Sequence, residues 1–303
     1  MSVLVGVAVG GIIILGLSLI AAIVTIVLAI VILARCHKQN DRARTGVTYL
    51  KVTSGFILLY QVLVIVGAIL SAVTTDTRYP GRSIRINMAA AHVEAINTVF
   101  STATMALFIA TQFEFARGLK MIAAMSGHGE SANTVEVKAR KSRFFSVFAL
   151  ALVMIVAIAA FGCLEAFIAG NYDMALIQGY LVFAVDAILT IAAIVCLVFT
   201  IRQPRIPPHN SLATHLIVIS TITTIRHIAM AAVAGYITWG FTALVDSDHT
   251  GTAAGLTAAS AFAIVANSWT FCITLGMAYG VCRKEYGGLR SNTVYAPVKT
   301  GHV

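Results

Sequence analysis

Seven runs of apolar residues, each longer than the ~20 residues that a helix needs to cross a bilayer, constrain this chain most strongly. They span about 3–34, 49–73, 88–113, 144–168, 174–201, 212–244 and 253–281. All five prolines lie outside these runs, so we expect no proline kink. The pattern predicts an all-α, polytopic membrane protein: residues 1–287 form a seven-transmembrane-helix bundle, and 288–303 form a short disordered tail.

The composition agrees with this fold class. Charged residues make up only 11% of the chain, whereas soluble domains average about 25%. A net charge of +9 is compatible with nucleic-acid binding, but the basic residues lie in short loops between the apolar runs. That distribution is typical of membrane topology and of contact with anionic headgroups. We therefore predict the lipid bilayer as a partner and no nucleic acid.

The charges of the loops predict an orientation. Basic residues fill the first, third and fifth loops and the tail, whereas the fourth and sixth loops carry acidic residues, Asp173 and then Asp246 and Asp248. The positive-inside rule then places the N-terminus outside and the C-terminus in the cytoplasm, although the second loop is also basic. We expect a multi-pass protein of the plasma membrane rather than of an internal membrane.

The longest predicted loop, 117–143, has two interpretations. Its centre is rich in glycine and serine and is typical of a flexible linker, and its end carries Lys138, Arg140, Lys141 and Arg143. This basic run favours contact with anionic lipid of the inner leaflet. The alternative is that it forms a docking surface for a cytoplasmic signalling partner.

Two charged residues stand in the middle of apolar runs, where charge is costly. An ionised side chain near the bilayer centre costs at least ~2.5–3.5 kcal/mol. Asp186 and Arg226 fall near the midplane of the fifth and sixth runs. We predict that both face the protein interior, neutralise each other, and mark a ligand-binding or structural polar core.

Other polar residues are expected at the same depth. Gln61 and Asn267 stand in the middle of the second and seventh runs. In the third run, polar residues recur at helical spacing and form one stripe: Glu94, Asn97, Ser101 and Thr104. Such side chains either bind neighbouring helices or line a cavity, and the sequence leaves both interpretations open.

His227 has three interpretations. It is a second partner of Asp186, a proton site, or a simply hydrogen-bonded histidine.

No motif in the sequence predicts catalysis. The chain contains no H-E-x-x-H, G-x-S-x-G or phosphate-binding loop, and its five cysteines include no C-x-x-C pair. The run 253–281 has no lysine, which excludes a retinal Schiff base there. We therefore predict a protein that is not an enzyme and that has no cofactor and no metal site.

Seven helices with an outside N-terminus and a cytoplasmic tail resemble the architecture of G-protein-coupled receptors. The motifs of that family differ, because Glu114-Phe-Ala-Arg117 stands in place of its acidic-Arg-aromatic triplet and Asn267-Ser-Trp-Thr-Phe271 in place of its Asn-Pro-x-x-Tyr. The chain more closely resembles uncharacterised seven-helix membrane proteins of filamentous fungi. The residues that carry this likeness are Thr224-Ile-Arg226-His-Ile228 and the preceding basic loop Arg202-Gln-Pro-Arg205. It implies receptor-like topology.

These observations favour a receptor-like or sensory protein in which a ligand perturbs the Asp186/Arg226 cluster and the inner loops report the change. The alternative is a transporter or lipid-translocating protein that uses the same polar core as its path. A scaffold without a small ligand is a third interpretation.

Overall fold

Each apolar run folds into one long α-helix, because a segment in lipid must satisfy its backbone hydrogen bonds internally. The computed structural model describes residues 2–36, 44–73, 80–125, 131–203, 210–246 and 250–283. Across these residues the regular structure consists of seven helices, without a strand. The helices are α1 (Ser2–Arg35), α2 (Thr45–Val73), α3 (Pro80–Met125), α4 (Ala132–Ile168), α5 (Met174–Ile201), α6 (Asn210–Asp246) and α7 (Thr250–Arg283).

The helices match the dimensions of a bilayer. Within the described residues, the six helices α1 to α6 are long and apolar enough to cross a membrane. This confirms the all-α prediction and that of a multi-pass membrane protein. The outward direction of the N-terminus stays a prediction, and the predicted tail at 288–303 lies outside the described residues.

The structure corrects the interpretation of 117–143 as one long loop. α3 continues to Met125, past the predicted end at residue 113, and α4 already begins at Ala132. The linker between the two helices is therefore short, and its residues 126–130 lie outside the described part of the chain. The basic run 138–143 is helical and continuous with the apolar part of α4.

Tertiary packing explains why α3 extends beyond its apolar run. Phe115, Leu119 and Ile122 are buried in one hydrophobic cluster with Val135 of α4 and Leu216 of α6. At the start of α4, the Ser131 side chain accepts a hydrogen bond from the backbone N–H of Thr134, which is a typical N-cap. Hydropathy does not detect such an extension, because it contains the charged residues Glu114, Arg117 and Lys120.

The seven described helices form a closed ring. Each helix packs against the next in the sequence, and α7 packs back against α1. α3 also contacts α5 and α6. We call the end of the bundle that holds Met125 and Ala132 the basic end, and the other end the opposite end. A site between α2, α3, α6 and α7 is therefore enclosed by helices on all sides.

Two hydrogen bonds between buried side chains join three helices at one level. The Thr53 hydroxyl of α2 lies 2.9 Å from the Thr111 hydroxyl of α3. The next residue, Gln112, donates from Nε2 to the Thr223 hydroxyl of α6 at 2.8 Å. We call these four residues the Gln112 layer.

Candidate functional site: a polar core around Arg226

Arg226 of α6 begins a chain of hydrogen bonds through α7 to α2. Its Nε donates to Oδ1 of Asn267 at 3.0 Å, and its Nη2 donates to the same oxygen. Nδ2 of Asn267 in turn donates to the Tyr60 hydroxyl at 3.0 Å. This chain of hydrogen bonds therefore joins three helices, and Arg226 itself is only 5% exposed.

An aromatic face supports the same guanidinium. The guanidinium carbon of Arg226 lies 4.0 Å from the ring centroid of Phe271, and the Tyr60 ring lies 6.1 Å from that centroid. Phe271 follows Asn267 by one helical turn, so both face α6 from the same side of α7. Arg226 is thus held by an amide oxygen and by the negative face of a ring.

The direct ion pair expected between Asp186 and Arg226 is not formed, although both residues are buried. No carboxylate oxygen of the described residues lies within 4.0 Å of the Arg226 side chain. The two charges still act on each other at longer range.

The register of α5 against α6 explains this separation. The Thr190 hydroxyl donates to the carbonyl of His227 at 3.0 Å, and the Thr224 hydroxyl donates to the carbonyl of Ala193 at 3.2 Å. Asp186 precedes Thr190 by four residues on α5, and Arg226 precedes His227 by one, so Asp186 lies about five residues, roughly 7 Å along the bundle, beyond Arg226.

The stripe predicted on α3 extends from the surface into this core. Glu94 is exposed, whereas Asn97 and Thr104 are buried. Ser101 lies beside the Tyr60 hydroxyl, and the charge of Glu94 also acts on Tyr60. The inward orientation expected for the whole stripe therefore applies to its later members, while Glu94 remains accessible.

Several buried polar atoms of this region have no hydrogen-bond partner among the described residues. They are Nε2 of Gln61, Oδ1 of Asn97, Oγ1 of Thr104 and both ring nitrogens of His227. An unpaired buried polar atom costs roughly 1–3 kcal/mol, so such atoms are uncommon in cores that serve packing alone. These atoms, on α2, α3 and α6, give this part of the bundle spare hydrogen-bonding capacity.

His227 has a different environment from those expected. Its side chain is fully buried, and within the described structure its ring bonds neither Asp186 nor any other side chain. Only its backbone carbonyl is used, by Thr190. A role as a proton site stays a prediction.

On the side of the basic end, the polar core is bordered by aromatic rings and by the Gln112 layer. The Phe108 ring of α3 meets the Phe271 ring edge to face, with centroids 6.3 Å apart. Beyond these rings lies the Gln112 layer. An apolar floor followed by a hydrogen-bonded layer thus separates Arg226 from the basic end.

The four residues of the predicted basic surface divide into two groups. Lys138, Arg140 and Lys141 are exposed. Arg143 instead turns inward, where its Nη2 donates to Oε2 of Glu114 at 2.8 Å. Arg143 is therefore a structural residue of the α3–α4 contact.

Sequence reasoning missed the ion cluster at this contact. The Glu114 side chain is only 1% exposed and binds both Arg143 and Arg117, the latter through Nη1. Arg117 also donates from Nη2 to the Ser142 hydroxyl at 2.6 Å. The available signal was the spacing of Glu114 and Arg117, which lie three residues apart on one helix face.

Tyr60 and Phe271 were also missed as members of the polar core. Each stands beside a polar residue that was noticed: Tyr60 precedes Gln61, and Phe271 lies four residues after Asn267. Helical spacing from Asn267 could have identified Phe271.

No protein-family profile matches this chain, and neither a curated protein nor a solved structure is significantly similar to it. The resemblance to seven-helix fungal membrane proteins and to receptor topology therefore stays a prediction.

Proposed function

We propose that this membrane protein is a receptor-like or sensory protein that binds a small polar ligand, one with an anionic group, in the polar core. The observation that carries the proposal is the environment of Arg226. Its guanidinium is buried, and its partners among the described residues are the Asn267 amide and the Phe271 ring. A buried cation without an adjacent counter-charge is an expensive group to keep, and an anionic ligand would neutralise it.

The guanidinium has donors to spare for such a ligand. Arginine carries five N–H groups, and its hydrogen bonds within the described residues go from Nε and Nη2 to Asn267. A carboxylate or phosphate binds a guanidinium with two parallel hydrogen bonds. Gln61, Asn97 and Thr104 supply further unpaired polar atoms for the rest of the ligand.

Asp186 refines the class of ligand. It is buried roughly 7 Å along the bundle from Arg226, and its charge acts on the guanidinium from a distance. A ligand with both an anionic and a cationic group would meet an opposite charge at each end. We therefore include zwitterionic ligands in the proposal.

The floor of the core favours a receptor over a transporter. Phe108, Phe271 and the Gln112 layer close the route toward the basic end. A ligand that competes with Asn267 for Arg226 would alter the contact of α6 with α7, and both helices reach the basic end. A shift of packed helices is a common way to transmit binding.

Transport is the second candidate, and one observation favours it. The α3 stripe leads from exposed Glu94 to buried Thr104, which is the first half of a polar path. A complete path would require the floor to open. Flux of an anionic or zwitterionic solute into proteoliposomes, lost in Asp186→Asn, would support transport.

The orientation and the cellular membrane also belong to the proposal. The basic end faces the cytoplasm and the opposite end faces outside, in the plasma membrane, as the loop charges predict. The topology resembles that of G-protein-coupled receptors, and no catalytic step is proposed. Protease or antibody access to a tag at each terminus in intact cells tests this orientation.

Thermal unfolding of the purified protein tests ligand binding. The probes are acetate, benzoate, glutamate and inorganic phosphate, with benzamide as an uncharged counterpart of benzoate. We expect at least one anion to raise the Tm of the wild type and of Arg202→Gln, an exposed-arginine control, but not that of Arg226→Gln. An identical response of wild type and Arg226→Gln to every probe would contradict the proposal.

If Arg226→Gln fails to fold, Asn267→Asp serves as the second variant. Its new carboxylate lies where the Asn267 oxygen binds Arg226, so it would form an ion pair with Arg226 and compete with an added anion. The proposal then requires that Asn267→Asp loses the response to the anion.

A further inference from the structure

The outward face of α4 carries three phenylalanines at the point where its basic run ends. The exposed fraction of Phe144 is 70%, that of Phe145 is 68% and that of Phe148 is 63%. Leu152, Ile155 and other outward side chains continue this apolar surface along the helix. So large an exposed apolar surface is typical of contact with lipid tails. The hydrocarbon layer therefore begins, on α4, at Phe144.

Two neighbouring helices place the edge of the hydrocarbon layer at the same level. Arg143 of α4 binds Glu114 of α3, so Phe144 lies level with the end of the apolar run of α3. The Thr53–Thr111 contact in turn places Lys51, the charged residue of α2, close to that level. The change from apolar to charged side chains thus falls at one level on α2, α3 and α4.

Arg140 and Lys141 lie just beyond this level. They precede Phe144 by four and three residues in one continuous helix. At 1.5 Å per residue their backbones lie about 5–6 Å from the hydrocarbon edge, which is the depth of lipid headgroups. Because the segment is helical and not a loop, the fold fixes these charges at that depth.

Among the residues that the structure describes, these two charges have no ion-pair partner. Both side chains are exposed, and no carboxylate oxygen of the described residues lies within 4.0 Å of either one. The nearby Glu114 is already bound by Arg117 and Arg143. Arg143, the remaining arginine of the run, is therefore already paired, and Arg140 and Lys141 carry the outward charge nearest to the apolar surface.

We propose that Arg140 and Lys141 form a binding site for the anionic headgroup of a phospholipid. The acyl chains of that lipid would lie along Phe144, Phe145 and Phe148. The ligand must carry negative charge for the two basic side chains. It must also have an apolar part that packs on the adjacent phenylalanines. A phospholipid with a negatively charged headgroup has both features in one molecule, whereas an acidic cytoplasmic protein would match the charges alone.

Spin-labelled lipids test this site on the full-length protein in vesicles of phosphatidylcholine. The measurement compares the protein-bound fraction of spin-labelled phosphatidylserine with that of spin-labelled phosphatidylcholine. We expect the wild type to prefer phosphatidylserine, and we expect Lys141→Gln to weaken this preference by about five-fold, the effect of one near-surface basic residue. The double variant Arg140→Gln/Lys141→Gln should remove most of it.

The matched control exchanges the two residues while keeping the charge: Arg140→Lys/Lys141→Arg should retain the preference. Both variants should unfold at the wild-type temperature, because the side chains are exposed. Equal binding of both lipids by the wild type would overturn the proposal, as would an unchanged preference in the double glutamine variant. In either case, wild-type binding of an acidic cytosolic protein that the glutamine variant lacks would identify a protein-docking surface instead. The Arg226 proposal is unaffected by these results.

Discussion

The Arg226 guanidinium carbon lies 4.0 Å from the centre of the Phe271 ring, on the neighbouring helix α7. A ring face attracts a cation but does not cancel its charge. Together with the Asn267 oxygen it fixes the position of Arg226 and leaves the net charge in place. This arrangement suits recognition of an anion, because a carboxylate in place of Asn267 would compete with the ligand.

Asn267 offers the sharpest test of this arrangement. Asn267→Leu removes the acceptor for Arg226 and the donor to Tyr60, so we expect the free energy of unfolding to fall by about 3 kcal/mol. Asn267→Asp keeps the shape and adds a counter-charge, so it should be more stable than Asn267→Leu. Unfolding of both variants in detergent micelles decides the order, and a less stable Asn267→Asp would contradict a charged Arg226.

The Glu114 cluster should be a major source of stability at the basic end. Glu114→Gln leaves Arg117 buried without a counter-charge, and the loss should be about 3–5 kcal/mol. Arg143→Gln should cost clearly less, because 36% of that side chain is exposed. Adding Arg117→Gln to Glu114→Gln should recover part of the loss. Denaturant unfolding measures all three, and equal losses for Glu114→Gln and Arg143→Gln would speak against a buried cluster.

Two glycines of α2 provide a matched test of helix packing. A Cβ at Gly46 would lie 2.9 Å from Cε1 of Phe115 and 3.1 Å from its backbone nitrogen, whereas a Cβ at Gly55 would meet no atom within 4 Å. Gly46→Ala should therefore destabilise the protein by about 1–3 kcal/mol. Gly55→Ala should stabilise it by about 0.5–1 kcal/mol through helix propensity. Thermal unfolding of the pair checks the contact, and the same sign of change in both variants would contradict it.

The sequence predicted the helices well and the pairing of charges poorly, for different reasons. Hydropathy registers whether a segment can lie in lipid, so the apolar runs predicted each helix. The burial of Asp186 and Arg226 was predicted correctly, because a charged side chain that faces lipid is costly. The predicted direct contact between them was wrong. Their depths were counted from the ends of the apolar runs, and this count ignores the register that Thr190 and Thr224 impose between α5 and α6.

Other features depended on tertiary contacts that no local pattern reports. The extension of α3 beyond residue 113 is stabilised by Phe115 and Leu119 in a core shared with other helices. The inward orientation of Arg143 follows from the phase of α4 and from Glu114 on α3. The basic run 138–143 was predicted to be one uniform surface, but it contains both a structural residue and exposed residues.

The central claim is that the polar core is accessible and carries an uncompensated positive charge at Arg226. Ser101 is the best reporter position, because it lies beside the Tyr60 hydroxyl at the end of the hydrogen-bond chain from Arg226. The measurement is the rate at which Ser101→Cys, with all five native cysteines replaced by alanine, reacts with two methanethiosulfonates. One reagent is the anionic sulfonatoethyl compound and the other is the cationic trimethylammonioethyl compound.

We predict that the anionic reagent reacts several-fold faster, and that this preference disappears when Arg226→Gln is added. No reaction with either reagent, or a charge preference that survives Arg226→Gln, would contradict the account.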